Sequence, residues 1–318
     1  MKPQIVVTMG DTAGIGPELV ARVCNDAEVR EKADITVVGR AMILATGALA
    51  AAQPMPELKV VECGPAAQIK PGQPSAHSGA QAGAFISKAL EMCLSGEVQA
   101  MVTAPISKEH LNLGGYHYAG HTDMLADLTK TRPVMMLAGK LLKVSLVTLH
   151  TPLSEVARQV TAESVLHTCR VTGQWLQKYL GYESPRLAVA ALNPHAGENG
   201  LLGREENDII TPVVRELAAG GLDIKGPFSA DTLFWRVLKH KEFDAVICMY
   251  HDQGLIPFKI AHFEDGVNVS MGLPFIRTSP DHGTAFDLAG KGQASAGSMK
   301  AAVLMAASAA TAACGKAS

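Results

Sequence analysis

The sequence has no Cys-x-x-Cys pair, no block of basic residues, and no uncharged apolar run of the ~20 residues that a membrane helix needs. Its six cysteines, Cys24, Cys63, Cys93, Cys169, Cys248 and Cys314, lie far apart. In a long chain this argues for free thiols in a reducing compartment rather than a disulfide framework. Cys248, inside Ala-Val-Ile-Cys-Met, reads as core rather than nucleophile. Lys plus Arg number 28 against 30 Asp plus Glu, a net charge of −2. That balance leaves no electrostatic footprint for nucleic acid and no polybasic patch for anionic lipid. The opening residues, Met-Lys-Pro-Gln-Ile-Val-Val-Thr-Met-Gly-Asp, read as a short strand meeting a turn. Asp11 interrupts them before a secretory apolar region could form. The expectation is a cytoplasmic protein that engages neither nucleic acid nor membrane. Ala301 to Cys314 is the most apolar stretch. It is short and Ala-rich, and reads as a packed helix.

What is present is a large apolar fraction, 47% of 318 residues, enough to bury a core and to exclude general disorder. At roughly 150 residues per domain the length suggests about two domains. Short β-branched runs alternate with Ala- and Leu-rich segments. Strands are expected at Gln4–Met9, Ile35–Val38, Lys59–Glu62, Ala100–Thr103, Val144–Leu149, Leu187–Leu192, Ala245–Met249 and Val267–Ser270. Helices are expected at Pro17–Cys24, Ala80–Leu94, Ala162–Leu180, Glu205–Ala219 and Ala230–Lys239. Alternation of this kind means an α/β architecture with a mostly parallel sheet. Many of the strands are continuous apolar runs, as strands covered on both faces are. There is no internal repeat. Pro71-Gly-Gln-Pro-Ser reads as a surface connection, and no linker marks a clean boundary, so a second domain would be intertwined with the first.

Three histidines each follow an apolar strand at its C-terminal end: His150, His195 and His251. In open α/β sheets the ligand site lies outside the carboxyl ends of the strands. Neutral imidazole is a common ligand for divalent metals, so three such positions could converge on one ion. Each could equally be an ordinary loop residue. Asn193-Pro-His-Ala-Gly-Glu-Asn-Gly is dense in turn formers and sets His195 on a shaped loop. In Tyr250-His-Asp-Gln-Gly, Asp252 is a partner of a metal-bound histidine, a proton acceptor, or a helix cap.

The first turn, Gly10-Asp-Thr-Ala-Gly-Ile-Gly-Pro-Glu, joins strand to helix. Gly14 and Gly16 permit close backbone approach, and Pro17 suits the first helical position. The spacing is neither that of a Rossmann fingerprint nor that of a P-loop. In Gly120-His-Thr-Asp, His121 and Thr122 open a helix, which either receives an anion or is merely capped by Thr122. Lys259, Asn268 and Arg277 lie close together in sequence. A lysine and a bidentate arginine are the expected grips on an anionic substrate. Lys108 reads evenly as helix surface or site.

Together these segments, with Gly266-Val-Asn, Gly272-Leu-Pro-Phe-Ile-Arg-Thr-Ser and Asp281-His-Gly-Thr-Ala, resemble the 4-hydroxythreonine-4-phosphate dehydrogenase family over nearly the whole chain. Gly197-Glu-Asn-Gly-Leu, Ile256-Pro-x-Lys and Asp265-Gly-Val-Asn resemble its branch acting on D-threonate and D-erythronate 4-phosphates. More distantly, the first turn and His282-Gly-Thr-Ala-Phe-Asp-Leu-Ala-Gly-Lys-Gly are similar to the isocitrate and isopropylmalate dehydrogenases. The resemblance implies two intertwined α/β/α domains with a cleft between them. One would comprise residues 1–125 plus 275–318 and hold the cofactor. The other, residues 126–274, would hold metal and substrate and form a homodimer.

The same resemblance implies NAD, bound by Gly14, Gly16, His282, Gly283, Thr284 and Asp287. A carboxylate at Asp287 would meet the ribose hydroxyls and repel a 2′-phosphate, favouring NAD over NADP. It implies His150, His195 and His251 as ligands of a divalent metal, with His251 supplied by the second subunit. Zinc suits nitrogen donors best, with magnesium, manganese and cobalt as alternatives. It implies a small phosphorylated substrate held by His121, Thr122, Lys259, Asn268 and Arg277. Proton-transfer or supporting roles fall to Asp252, Asp231 and Lys259. The implied reaction is oxidation of the 3-hydroxyl of a four-carbon acid 4-phosphate, D-threonate, D-erythronate or 4-hydroxy-L-threonine, followed by decarboxylation. Rival readings are a dihydrodiol dehydrogenase of an aromatic dicarboxylate and a metal-dependent hydrolase. The hydrolase would need neither Asp287 nor the 282–292 loop.

Overall fold

The structure is a computed structural model that describes residues 2–315. Its strands are β1 (Gln4–Thr8), β2 (Asp34–Gly39), β3 (Lys59–Glu62), β4 (Ala100–Thr103), β5 (Val134–Ala138), β6 (Lys143–Leu146), β7 (Leu187–Ala190), β8 (Ile224–Phe228), β9 (Ala245–Cys248), β10 (Val267–Met271) and β11 (Ile276–Pro280). The chain divides into two compact units. The first runs through Pro133 and resumes at Leu273; the second is Val134–Gly272. The division read from sequence fell at 125/126 and 274/275.

In the first unit the strand order is β3-β2-β1-β4-β11, and every pairing is parallel. Ile5, Val6, Val7, Val37, Val38, Met101 and Val102 are fully or almost fully buried. Apolar side chains on both faces of these strands leave water together, which is the main force assembling the layer. The helix Gly297–Gly315 is long and apolar enough to cross a membrane by composition alone. Here Met299, Ala302, Val303, Ala306 and Ala310 are buried against protein. This is the packed helix expected from Ala301 to Cys314.

In the second unit the order is β10-β5-β6-β9-β7-β8. Strand β5 runs antiparallel to both β10 and β6, and the other pairings are parallel. A core of Leu137, Val144, Leu146, Ala188, Val246, Cys248 and Phe258 fills it. Cys248 is core, as expected, and burial pushes its thiol far up.

All eight expected strands are present, with ends shifted by up to two residues at most places and by three at Leu149. Three strands were not expected. Strand β5 is Val-Met-Met-Leu-Ala, whose methionines carry no β-branch. Strand β8, Ile-Lys-Gly-Pro-Phe, contains a proline, which a sheet tolerates at an edge, and β8 is the last strand of its order. Strand β11, Ile-Arg-Thr-Ser-Pro, is polar in sequence yet buried at all five positions.

Candidate active site

Strands β6, β9 and β7 are consecutive neighbours and mutually parallel. The three histidines follow their carboxyl ends, so the sheet gathers them along one edge of the second unit. The His150 and His251 rings stand 5.8 Å apart, centroid to centroid. His251 begins the helix His251–Ala261, and its Nδ1 lies 2.7 Å from Asp252 Oδ1. That bond occupies Nδ1, which leaves Nε2 as the ring nitrogen that could ligate a metal.

His195 sits on an unusual backbone. His195, Ala196, Gly197, Glu198 and Asn199 all have positive φ, from 46° to 76°. A left-handed run of L-residues costs roughly 1–2 kcal/mol per residue, so it persists only where its surroundings impose it. Glu206 imposes it. Its carboxylate is buried and accepts hydrogen bonds from the backbone N–H of Leu192 and Asn193, both at 2.8 Å, and from Asn193 Nδ2 at 3.0 Å. Glu205 Oε2 takes the same amide at 2.7 Å. A Cβ on Gly197 would lie 2.6 Å from Glu206 Oε2, so the carboxylate packs on the turn itself. The turn formers mark the loop in the sequence, but Glu206 is marked only by an acidic pair just beyond the glycine-rich turn.

The other candidates of the second unit are placed as follows. Asp231 is exposed and accepts from Ser229 Oγ at 2.6 Å. That bond, with help from the nearby His195, holds its carboxyl below the ordinary range. Lys259 Nζ lies 5.5 Å from the Phe263 ring centre. Asn268 Oδ1 is enclosed with no hydrogen-bond partner among the described residues.

Among the described residues of one chain, no three of His, Cys, Asp and Glu come together as a metal site. The donors suit a nitrogen-loving cation, but a single chain does not fit a complete metal centre.

In the first unit, Arg277 is 3% exposed and donates from Nη2 to Thr103 Oγ1 at 2.7 Å. Burial lowers its pKa to about 10, which leaves the guanidinium charged at neutral pH. His121 opens the helix His121–Thr129 as expected, and its Nε2 is enclosed with no hydrogen-bond partner among the described residues. Burial, and then the charge of Arg277, push its pKa well below the ordinary histidine value. A buried guanidinium and a neutral imidazole at a helix start have the chemistry to receive an oxyanion. Thr103 was missed from sequence because it reads simply as the end of a strand. Lys108 is the exposed first residue of its helix.

The two glycine loops meet in the same unit. The N–H of Ile15 donates to the carbonyl of Thr284 at 3.0 Å. A Cβ on Gly14 would stand 2.8 Å from that oxygen, and one on Gly16 would strike the Met9 carbonyl. Beside the loops lies a cavity of about 270 Å³, lined by Thr12, Gly14, Ile43, Leu49, Ala50 and Gly290 among others. Its apolar walls and size fit a nucleobase, so the first unit is compatible with a dinucleotide. His282, Gly283 and Asp287 are exposed on the second loop.

The family described as Pyridoxal phosphate biosynthetic protein PdxA matches residues 16–306. The chain belongs to the PdxA family. It is 47% identical to a 4-hydroxythreonine-4-phosphate dehydrogenase of Trichlorobacter lovleyi, covering 96% of this chain and 97% of that one. It is 48% identical to the like-named protein of Geobacter metallireducens, covering 96% and 95%. The crystal structure of the Klebsiella pneumoniae 4-hydroxythreonine-4-phosphate dehydrogenase superposes with a TM-score of 0.87 at 38% identity, over 97% and 99% of the two chains. A terephthalate 1,2-cis-dihydrodiol dehydrogenase from Burkholderia xenovorans is further away, with a TM-score of 0.70 at 29% identity, over 96% and 98% of the chains. An isocitrate dehydrogenase from Methylococcus capsulatus shares the fold alone, with a TM-score of 0.51 at 13% identity, over 96% and 84% of the chains. PdxA membership makes the chain an enzyme of the dehydrogenase class.

Proposed function

We propose that the protein oxidises the 3-hydroxyl of a four-carbon acid 4-phosphate with NAD, decarboxylation following. The observation that carries this reading is the buried Arg277–Thr103 pair beside neutral His121 at a helix start, a receptor suited to a phosphate monoester. Thr122 belongs to the same helix start, and Lys259 and Asn268 would grip the rest of the substrate.

When bound, the nicotinamide supplies the hydride acceptor. Hydride leaves carbon 3 as the hydroxyl proton passes to a base. The 3-oxo acid then breaks its C1–C2 bond, carbon dioxide leaves, and the enol takes a proton at carbon 2. Asp252 orients His251 through the 2.7 Å bond to Nδ1. Asp231, its carboxyl held low, is ionised at neutral pH and adds negative charge beside His195. The Lys259 ammonium can return a proton, as a carboxylate cannot. We assign the cofactor contacts to Gly14, Gly16, His282, Gly283, Thr284 and Asp287.

A divalent metal, zinc by the donor type, would need a second copy of the chain to complete its ligands. His150 and His195 of one subunit with His251 of the other is the arrangement we propose. Ile256, Ile260 and Phe263 stand exposed on or beside the helix that His251 begins. An apolar face of this kind supports a homodimer.

We take 4-hydroxy-L-threonine 4-phosphate as the substrate, following the relatives' names. Of the three segments that favour the sugar-acid branch, two make internal contacts: Gly197 packs on Glu206, and Asp265 Oδ1 lies 2.9 Å from His262 Nδ1. The test follows NADH absorbance on metal-loaded protein with this substrate and D-threonate 4-phosphate side by side. Preference for the first supports the assignment, and preference for the second moves the enzyme to sugar-acid catabolism. No NADH from either refutes the four-carbon phosphate reading and favours a diol substrate.

A further inference from the structure

The 282–292 loop is tied at Thr284 by the glycine turn, at Phe286, whose ring centre lies 5.9 Å from that of His110, and again at its far end. Its far end is held by Glu18, the last residue of Gly-Ile-Gly-Pro-Glu. Glu18 is 2% exposed, inside the helix Gly16–Asn25. One carboxylate oxygen accepts from the N–H of Gly290, and the other from the N–H of Gly292 at 2.9 Å. One turn further along the same helix, the Arg22 guanidinium donates to the carbonyl of Gly292. Gly290 and Gly292 have φ of 81° and 64°. A Cβ on Gly292 would strike the carbonyl of Ala50, and Ala50 and Gly290 both line the 270 Å³ cavity. The backbone here is bent into a shape suited to glycine, and the two N–H groups it presents inward are both spent on one carboxylate. Asp287 lies in the span between the Thr284 tie and the Glu18 tie.

We infer that Glu18 is a positioning residue for the dinucleotide: by clamping Gly290 and Gly292 it fixes the loop that carries Asp287 and the wall of the adjoining cavity. The inference rests on the reading that this loop binds NAD. Glu18 touches no reacting atom. Its loss should weaken cofactor binding and leave the anion receptor of Arg277 and His121 as it is.

The experiment measures NAD dissociation by calorimetry on the metal-loaded protein, with initial rates alongside. The variants are Glu18→Ala, Glu18→Gln, Arg22→Met and Asp287→Ala. Glu18→Ala leaves the half-buried N–H groups of Gly290 and Gly292 without their acceptor, and about a tenfold rise in the NAD dissociation constant and KM is expected. Glu18→Gln keeps one acceptor oxygen and should fall between Ala and the parent, so it serves if the alanine variant fails to fold. Arg22→Met should show a smaller rise. Binding of inorganic phosphate should match the parent in all of them, a split that general loosening would not give. Unchanged NAD binding in Glu18→Ala and Glu18→Gln, with binding lost in Asp287→Ala, overturns the role of Glu18 alone. Equal losses for NAD and phosphate overturn it too, as an effect on folding. Unchanged NAD binding in Asp287→Ala refutes the cofactor reading of the loop, and the inference falls with it.

Discussion

Glu206 binds Asn193 twice, at the backbone N–H at 2.8 Å and at the side-chain amide at 3.0 Å. These bonds fasten the residue two positions before His195 to a carboxylate that water does not reach. The left-handed run that follows is therefore launched from a fixed point, and His195 is aimed by a residue eleven positions away.

Glu206→Ala should accordingly do more than soften a loop. It leaves the half-buried N–H groups of Leu192 and Asn193 without their acceptor, at a cost of about 1–3 kcal/mol. Urea unfolding should show that loss. Turnover should fall further than stability does, because His195 loses its aim, and metal retained after dialysis should fall with it. Full activity in the variant would remove Glu206 from the site.

Gly197→Ala tests the same turn from the inside. The position has a φ of 76°, and the added Cβ would press on Glu206 Oε2 at 2.6 Å. A destabilisation greater than about 1 kcal/mol is expected, since alanine suits neither the conformation nor the space. Thermal unfolding monitored by circular dichroism reads it directly.

Arg277→Lys keeps the charge but loses the planar fork. The bond to Thr103 and a bidentate hold on an anion cannot both survive. KM for the phosphorylated substrate should rise at least about tenfold, the equivalent of one charge-assisted hydrogen bond, with KM for NAD little changed.

His121 is kept neutral in the folded chain by burial and by the charge of Arg277. The unfolded chain protonates it near the usual value of about 6.5. Below that pH the unfolded state binds more protons than the folded one, so stability falls as pH drops through about 6.5. His121→Asn removes this proton difference. Between pH 7 and pH 5 its unfolding free energy should decline less steeply than the parent's, by at most about 1.4 kcal/mol per pH unit. Identical slopes in the two proteins would sink the assignment of a neutral His121.

The sequence carried the alternation of strands and helices because the buried strands are runs of Val, Ile and Leu. It carried the three histidines because each terminates such a run, although only the strand order makes β6, β9 and β7 neighbours. It did not carry β8, where a proline hides an edge strand, or β11, whose Arg277, Thr278 and Ser279 are buried by partners distant in sequence. Nor did it carry the two carboxylates that hold the loops. Glu206 acts across thirteen positions and Glu18 across 272, and neither span leaves a mark on local periodicity. What was legible was the identity of the candidate side chains, enclosed ones such as Arg277 included; what was hidden was the bonding that holds them in place.

The first unit is discontinuous along the chain, and this orders its birth on the ribosome. Residues 134–272 emerge whole before β11, the strand that pairs with β4, has been made. Until then β4, buried at all four positions in the finished fold, is an apolar strand edge open to any passing chain. A message truncated before Ile276 would thus yield a protein whose second unit has every residue it needs while its first presents a sticky border. The hazard of premature termination falls on the first unit.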